Sequence, residues 1–327
     1  MPNLALTNRL MVLLLNLPPL CVCRGGKFFC AHVFFQNKAN KNTLPGEQAM
    51  QKQAYSAMSW NLDQVPYHDI DIKAVRSRED LFYLVAGASF IEIAADLYTD
   101  NLIEYFNDQP EIMQWLMDHW KFEETRHGHV LRDYTRHVWP EFDWERAYLS
   151  FYADYSAQCT QEALEPTRCL EMAARCVVET GTATFYQALS GQANEPVLAH
   201  MASLIRADEI SHYKHFYQYF RLYRELIPTS RLKIFRAISR RVMEARNSDA
   251  ETALWHVYMV HRNVDDNSDK TGFKKMCAQF SQQFRQHYPF GMAAKMLMRP
   301  LDLPKVVTRV VEGPVVKIAG RFISRKI

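Results

Sequence analysis

Residues 120–128 read Trp-Lys-Phe-Glu-Glu-Thr-Arg-His-Gly, and residues 207–212 read Ala-Asp-Glu-Ile-Ser-His. Each stretch holds a Glu-x-x-His step, Glu124 with His127 and Glu209 with His212. On a helix, side chains three apart rise from one face about a turn apart, so each pair can reach a common metal ion. Spacing alone is weak support. With 19 Glu and 12 His in 327 residues, chance gives about 0.7 such pairs, a false-positive risk that every short motif carries.

Order carries more than spacing. Glu92 interrupts the apolar run Leu81-Phe-Tyr-Leu-Val-Ala-Gly-Ala-Ser-Phe-Ile91, and Glu179 follows Cys176-Val-Val178 in a stretch with no further charge until Glu195. A carboxylate on an apolar helix face is costly unless it is paired or binds a metal. Along the chain come Glu92, then Glu124 with His127, then Glu179, then Glu209 with His212, each set on its own predicted helix. That is the ligand set of a carboxylate-bridged di-iron or di-manganese site in a four-helix bundle. Two Glu can bridge, two can be terminal, and each His supplies one nitrogen. Four carboxylates balance the charge of two ferrous ions, which makes their burial tolerable.

The surrounding pattern predicts an all-α chain. Apolar residues recur at i, i+3 and i+4 from Arg78 to Tyr223. Proline, glycine and turn residues divide this region into predicted helices over 81–106, 111–138, 143–165, 167–189 and 196–226. Strand alternation and long internal repeats are missing from the sequence. Three parts are expected: a poorly structured N-terminal extension over 1–57, a helical bundle with the di-metal site over 58–227, and a basic helical extension over 228–327.

Composition removes other classes. An apolar share of 48% with 13% aromatics can offset the ordering entropy, so disorder is excluded for most of the chain. Neither GxGxxG nor GxxxxGK[ST] occurs, which argues against nucleotide-dependent chemistry. A net charge of +3 gives no reason to expect a nucleic-acid partner. Seven irregularly spaced cysteines suggest no disulfide framework and a cytoplasmic protein. Cys21, Cys23, Cys30 and His32 lack the paired spacing of a zinc site. The apolar run over 11–20 has the size of a signal peptide, and it is too short, and broken by Asn16, Pro18 and Pro19, to read as a membrane anchor. A translation start near Met50 or Met58 is the preferred reading of this segment.

After Pro228 the character changes. Arg231, Lys233, Arg236, Arg240, Arg241 and Arg246 interleave with Leu232, Ile234, Phe235, Ile238 and Val242. Residues 295–327 carry eight Lys or Arg against Asp302 and Glu312. The plain reading is a solvated face; the functional one is contact with an anionic surface, either an acidic protein or a membrane met peripherally.

At the candidate ligands the sequence resembles the acyl-acyl carrier protein desaturases, soluble di-iron enzymes with a ferritin-like bundle. Residues 120–128 are similar to that family's Trp…Glu-Glu-x-Arg-His-Gly segment, and residues 207–212 to its Ala-Asp-Glu-x-x-His. Gly87 before Glu92, and Thr182 three residues after Glu179, also match, and the resemblance spans residues 60–223. It implies that Glu92, Glu124, His127, Glu179, Glu209 and His212 ligate two Fe2+ ions, although the same ligands suit Mn. Asp208 and Arg126 would support the ligands, with Asp208 fixing a histidine ring. Thr182 would face the oxygen-binding side as a proton or hydrogen-bond donor, and Trp60 resembles the tryptophan that ends the chain through Asp208.

The implied activity is O2-dependent desaturation or hydroxylation of an acyl chain bound to acyl carrier protein, in fatty acid metabolism. A ferredoxin-like donor would supply electrons, and a homodimer is implied. Phe90, Tyr98, Trp115, Phe185 and Tyr186 are candidates to line an acyl slot, and the helix over 231–246 is a candidate docking face for the acidic carrier. Two alternatives remain: an oxygenase or oxidase of the same fold with another substrate, and a non-enzymatic iron-handling protein. Ile210-Ser211 in place of the family's basic pair, and Tyr213 in place of an acidic residue, touch the substrate rather than the ligand set.

Overall fold

Every regular element among the described residues of the computed structural model is a helix. The description covers residues 60–245, 249–264, 270–304, 306–308, 313–314 and 316, all within one compact unit. The apolar run over 11–20 and the group Cys21, Cys23, Cys30 and His32 lie outside the described residues.

Helix α1, Glu79–Ile93, buries residues on nearly every side, among them Leu81, Tyr83, Val85, Phe90 and Glu92. Such a helix belongs in a core. With α2, Ala95–Tyr105, it forms a stretch long and apolar enough to cross a membrane, yet 61% of that apolar window is buried inside the protein. The single helix expected over 81–106 is therefore two, parted at Ala94, where ψ is 7°. No proline or glycine marks the break. It lies where α1 crosses the helix that carries Gly128, whose position a Cβ would fill 2.6 Å from the Ile93 nitrogen.

Pro110 occupies the first position of α3, Pro110–Trp115, and a π-helical turn over Leu116–Trp120 leads directly into α4, Lys121–Val138. The extra residue of a π turn shifts the helix face, a device common beside functional sites. Here it comes just before Glu124. Helix α5, Trp144–Ser156, is capped by Asp143 and is shorter than the sequence suggested, because a loop with a turn at Gln161–Ala163 precedes Pro166. Helix α6, Arg168–Ala193, starts on a Thr167 cap and runs through Gly191 to a left-handed Asn194 at φ 47°. Glu195 then caps α7, Pro196–Leu226, by accepting from the nitrogens of Val197 and Leu198, with Pro196 at the first position.

The main helix pairs are α6 with α7 and α1 with α4. Further helices pack around them: α8 (Arg231–Ala245) on α6, α9 (Asp249–Arg262) on α1 and α5, and both α10 (Lys270–Phe284) and α11 (Phe290–Met298) on α6. Phe82, Phe90, Trp144, Phe151 and Tyr186 belong to one apolar cluster, while Trp115, Trp120, Phe216, Phe220 and Ile234 belong to another. Part of the basic face expected on α8 is spent internally. Arg240 pairs with the buried Glu165, and Arg241 donates to the Ala163 carbonyl at 3.2 Å and lies 3.9 Å from Glu171.

Candidate metal centre

Four helices bring six side chains together. Glu92 comes from α1, Glu124 and His127 from α4, Glu179 from α6, and Glu209 and His212 from α7. They form two overlapping groups, each able to hold a metal ion with one ligand atom per residue and all four atoms within 4.8 Å of one another. Glu92, Glu124, His127 and Glu209 form one, and Glu124, Glu179, Glu209 and His212 the other. Glu124 and Glu209 are common to both. All six residues are buried.

Both histidines turn Nδ1 inward. His127 Nδ1 lies 3.2 Å from Glu209 Oε1 and 3.8 Å from Glu92 Oε2. His212 Nδ1 lies 3.1 Å from Glu124 Oε1 and 3.6 Å from Glu179 Oε2. Five inward atoms, Nδ1 of both histidines and Oε1 of Glu124, Glu179 and Glu209, are buried without a hydrogen-bond partner among the described residues. A buried polar atom left so costs about 1–3 kcal/mol. Cations placed among them would satisfy these atoms together, so the residues fit a metal pair.

The electrostatics agree. Burial pushes the Glu124 carboxyl well above its usual range, and the charges of Glu209 and Glu92 add to the effect. Burial likewise takes Glu179 up to about 8 against the pull of His212. For the two histidines burial acts in the other direction, but the surrounding carboxylates outweigh it and hold both well above the usual imidazole value. Glu209 is buried yet faces both histidines, which keep it well below the carboxylate range. Protons thus do in the metal-free chain what cations would do in the loaded one.

The outer nitrogens are fixed by a crossed pair of carboxylates. His127 on α4 sets Nε2 3.0 Å from Asp208 Oδ2 on α7, and His212 on α7 sets Nε2 2.7 Å from Glu123 Oε2 on α4. Asp208 also accepts from Arg126 Nη2 and Trp60 Nε1, both at 2.9 Å, and His127 and Arg126 hold its carboxyl below the usual range despite burial. Trp60 stacks on the His127 ring at 6.2 Å and lies under the Arg126 guanidinium at 4.6 Å. Thr182 donates to Glu209 Oε2 at 2.5 Å, and the Tyr186 hydroxyl donates to Glu92 Oε1.

Every candidate site residue from the sequence therefore lies at this centre, with Asp208, Arg126 and Trp60 on the His127 side and Thr182 against Glu209. Glu123 is the residue that the sequence reading passed over. Its signal was present: an acid precedes the glutamate of each Glu-x-x-His step, Glu123 before Glu124 and Asp208 before Glu209, and each serves the histidine of the other helix. Of the five aromatic lining candidates, Tyr186 bonds a ligand residue and Trp115 meets the His212 ring edge-on at 6.2 Å. Phe90 packs on Trp144, Tyr148 and Phe151, Tyr98 on Tyr155, and Phe185 on Phe284. A polar cavity of about 410 Å³ opens elsewhere, among Arg78, Asp80, Gln192 and His287, and none of the six candidate ligands lines it.

No family model matches the chain, and no curated protein sequence matches it.

Proposed function

We propose that this protein is a di-iron oxidoreductase with a ferritin-like four-helix arrangement of α1, α4, α6 and α7, using O2 to desaturate or hydroxylate an acyl chain. The observation that carries the metal reading is the pair of buried ligand groups sharing Glu124 and Glu209. The acyl chain rests on the resemblance of residues 120–128 and 207–212 to the acyl-acyl carrier protein desaturases, with a carrier-bound chain and a ferredoxin-like donor as the implied partners.

In this reading Glu92 and His127 would hold one ion and Glu179 and His212 the other, with Glu124 and Glu209 belonging to both groups. When bound, the two iron ions supply redox equivalents and Lewis acidity for activating O2. The chain's own residues do the rest. Four carboxylates would compensate the ionic charge among six buried side chains. Asp208 and Glu123 accept from the outer Nε2 of each histidine and so keep Nδ1 directed inward as a neutral donor. Arg126 offsets the Asp208 charge. Tyr186 and Thr182 place proton-bearing oxygens on Glu92 and Glu209, where a proton can be held at the edge of the reacting space.

The test begins with metal content. Protein loaded anaerobically with Fe2+ is expected to hold two ions per chain, and Glu124→Ala or Glu209→Ala to lose them. Reduction under O2 with a carrier-bound fatty acid is then expected to yield a chain that has lost two hydrogens or gained one oxygen, read by mass spectrometry. Two ions per chain with an unaltered acyl chain would remove the substrate reading and keep the metal site. Continued uptake of iron into mineral with no substrate change would support iron handling instead.

A further inference from the structure

Where α7 turns into α8 the protein sets aliphatic side chains in water. Leu222 is 48% exposed, Leu226 66%, Ile227 70% and Leu232 55%. Leu222 and Leu226 are four apart on the last turns of α7, hence on one face, and Leu232 lies in the first turn of α8. The chain after α11 is tied to this corner. Arg231 donates to the carbonyls of Leu301 at 3.1 Å and Asp302 at 2.9 Å, and Arg224 to that of Pro300 at 3.4 Å. A few residues beyond this tie come Val306 and Val307, 74% and 41% exposed. Single exposed aliphatics need no explanation, but a grouped set marks an interaction surface.

The charges around it indicate what it meets. Lys233 and Arg236 are exposed and make no ion pair among the described residues. Arg221 is shared with Glu225, and Arg224 and Arg231 with Asp302. An acidic protein would call for a dense array of cations on α8, yet Arg240 and Arg241 are turned onto Glu165 and Glu171. What remains is aliphatic tips bordered by a few cations, which suits the boundary between lipid headgroups and acyl chains.

We propose that this corner docks the protein peripherally onto an anionic lipid bilayer, with Leu226, Ile227 and Leu232 entering the headgroup layer and Lys233 and Arg236 meeting lipid phosphates. The inference depends on nothing at the metal centre.

The test is flotation of the full chain with vesicles of phosphatidylcholine plus phosphatidylglycerol, and with vesicles of phosphatidylcholine alone. Two variants are compared, Leu226→Ser/Ile227→Ser/Leu232→Ser and Lys233→Glu/Arg236→Glu. Their side chains are exposed, so both are expected to keep the wild-type melting temperature. If the triple variant does not, the single Ile227→Ser variant replaces it. The expected result is binding to the anionic vesicles, weakened about tenfold or more in either variant, on neutral vesicles and at high salt. No flotation of the wild-type chain, or unchanged flotation of the aliphatic variant, would overturn the proposal. So would binding to an acidic carrier protein, lost in the charge-reversal variant, without any binding to vesicles.

Discussion

His212 sets its Nε2 2.7 Å from Glu123 Oε2, which leaves Nδ1 to face Glu124, Glu179 and Glu209. His127 has the mirror relationship with Asp208. Because a second carboxylate fixes the tautomer and raises the basicity of a ligating imidazole, its removal typically weakens metal binding about 10–100-fold. If the proposed metal pair is bound, Glu123→Ala is expected to weaken the ion that His212 would hold, and Asp208→Ala the ion that His127 would hold. Competition titration against a chelator should show one weakened site per variant. Two unchanged affinities in either variant would contradict the crossed arrangement.

The metal-free centre makes stability depend on pH with a definite sign. Glu124, Glu179, His127 and His212 all hold their protons to higher pH in the fold than in the unfolded chain. Stability from such groups is complete below the unfolded values and is lost as pH rises through the folded ones. For Glu179 the window runs from 4.5 to about 8, and for the histidines it opens at 6.5. Glu209 has the opposite sign, but its contribution is lost only in acid, as pH falls from 4.5 downward. Chelator-treated protein is therefore expected to melt at lower temperature as pH is raised from about 7 to about 8, above the range in which the lowered His215, His129 and His261 act in the opposite sense. Bound metal would displace those protons, so the gap in melting temperature between loaded and metal-free protein should widen over the same range. A metal-free protein that gained stability on that path would contradict the assignment.

Much of this centre was legible because its chemistry is local in the chain. Glu124 with His127, and Glu209 with His212, announce themselves by helical spacing, and Glu92 and Glu179 by interrupting apolar runs. The boundaries of α7 were equally plain, since Pro196 opens the helix at its first position. What the sequence hid is set by tertiary contact. The break at Ala94 has no local breaker and lies at the crossing of α1 with α4. Glu123 went unnoticed because its partner lies 89 residues away on another helix. Arg240 and Arg241 looked like part of a docking face because the carboxylates that take them, Glu165 and Glu171, precede them by some 70 residues.

Gly128 and Gly181 make a matched pair for the packing around the ligands. A Cβ at Gly128 would lie 2.3 Å from Ile93 Cγ1, 2.6 Å from Ile93 N and 3.1 Å from Glu92 C. A side chain can turn aside; that backbone cannot without carrying Glu92 with it. Gly128→Ala is expected to cost about 1–3 kcal/mol through overpacking and to weaken the ion served by Glu92 and His127. At Gly181, exposed within α6, a Cβ meets nothing within 4 Å. Gly181→Ala should stabilise the fold by about 0.5–1 kcal/mol with both ions retained. Denaturant unfolding with metal analysis checks both, and intact metal content in Gly128→Ala would mean that Glu92 is not held by this crossing.

The buried cluster around Glu171 should behave differently from surface charge. Glu171 is fully buried, lies 2.9 Å from Arg175 Nε, accepts from the Glu165 nitrogen at 2.7 Å and stands 3.9 Å from Arg241. Removing it strands the buried Arg175 and an unpaired backbone N–H, a loss of about 3–5 kcal/mol for a buried pair broken on one side. Glu171→Gln keeps an acceptor for the Glu165 nitrogen but lacks the charge, so it should fall between wild type and Glu171→Ala. By contrast, Glu225 pairs with Arg221 at 3.5 Å with both side chains well exposed, and Glu225→Ala should change stability by no more than about 0.5 kcal/mol. Denaturant midpoints at constant m value separate these outcomes. Equal losses for Glu171→Ala and Glu225→Ala would show that the buried cluster contributes no more to stability than an ordinary surface pair.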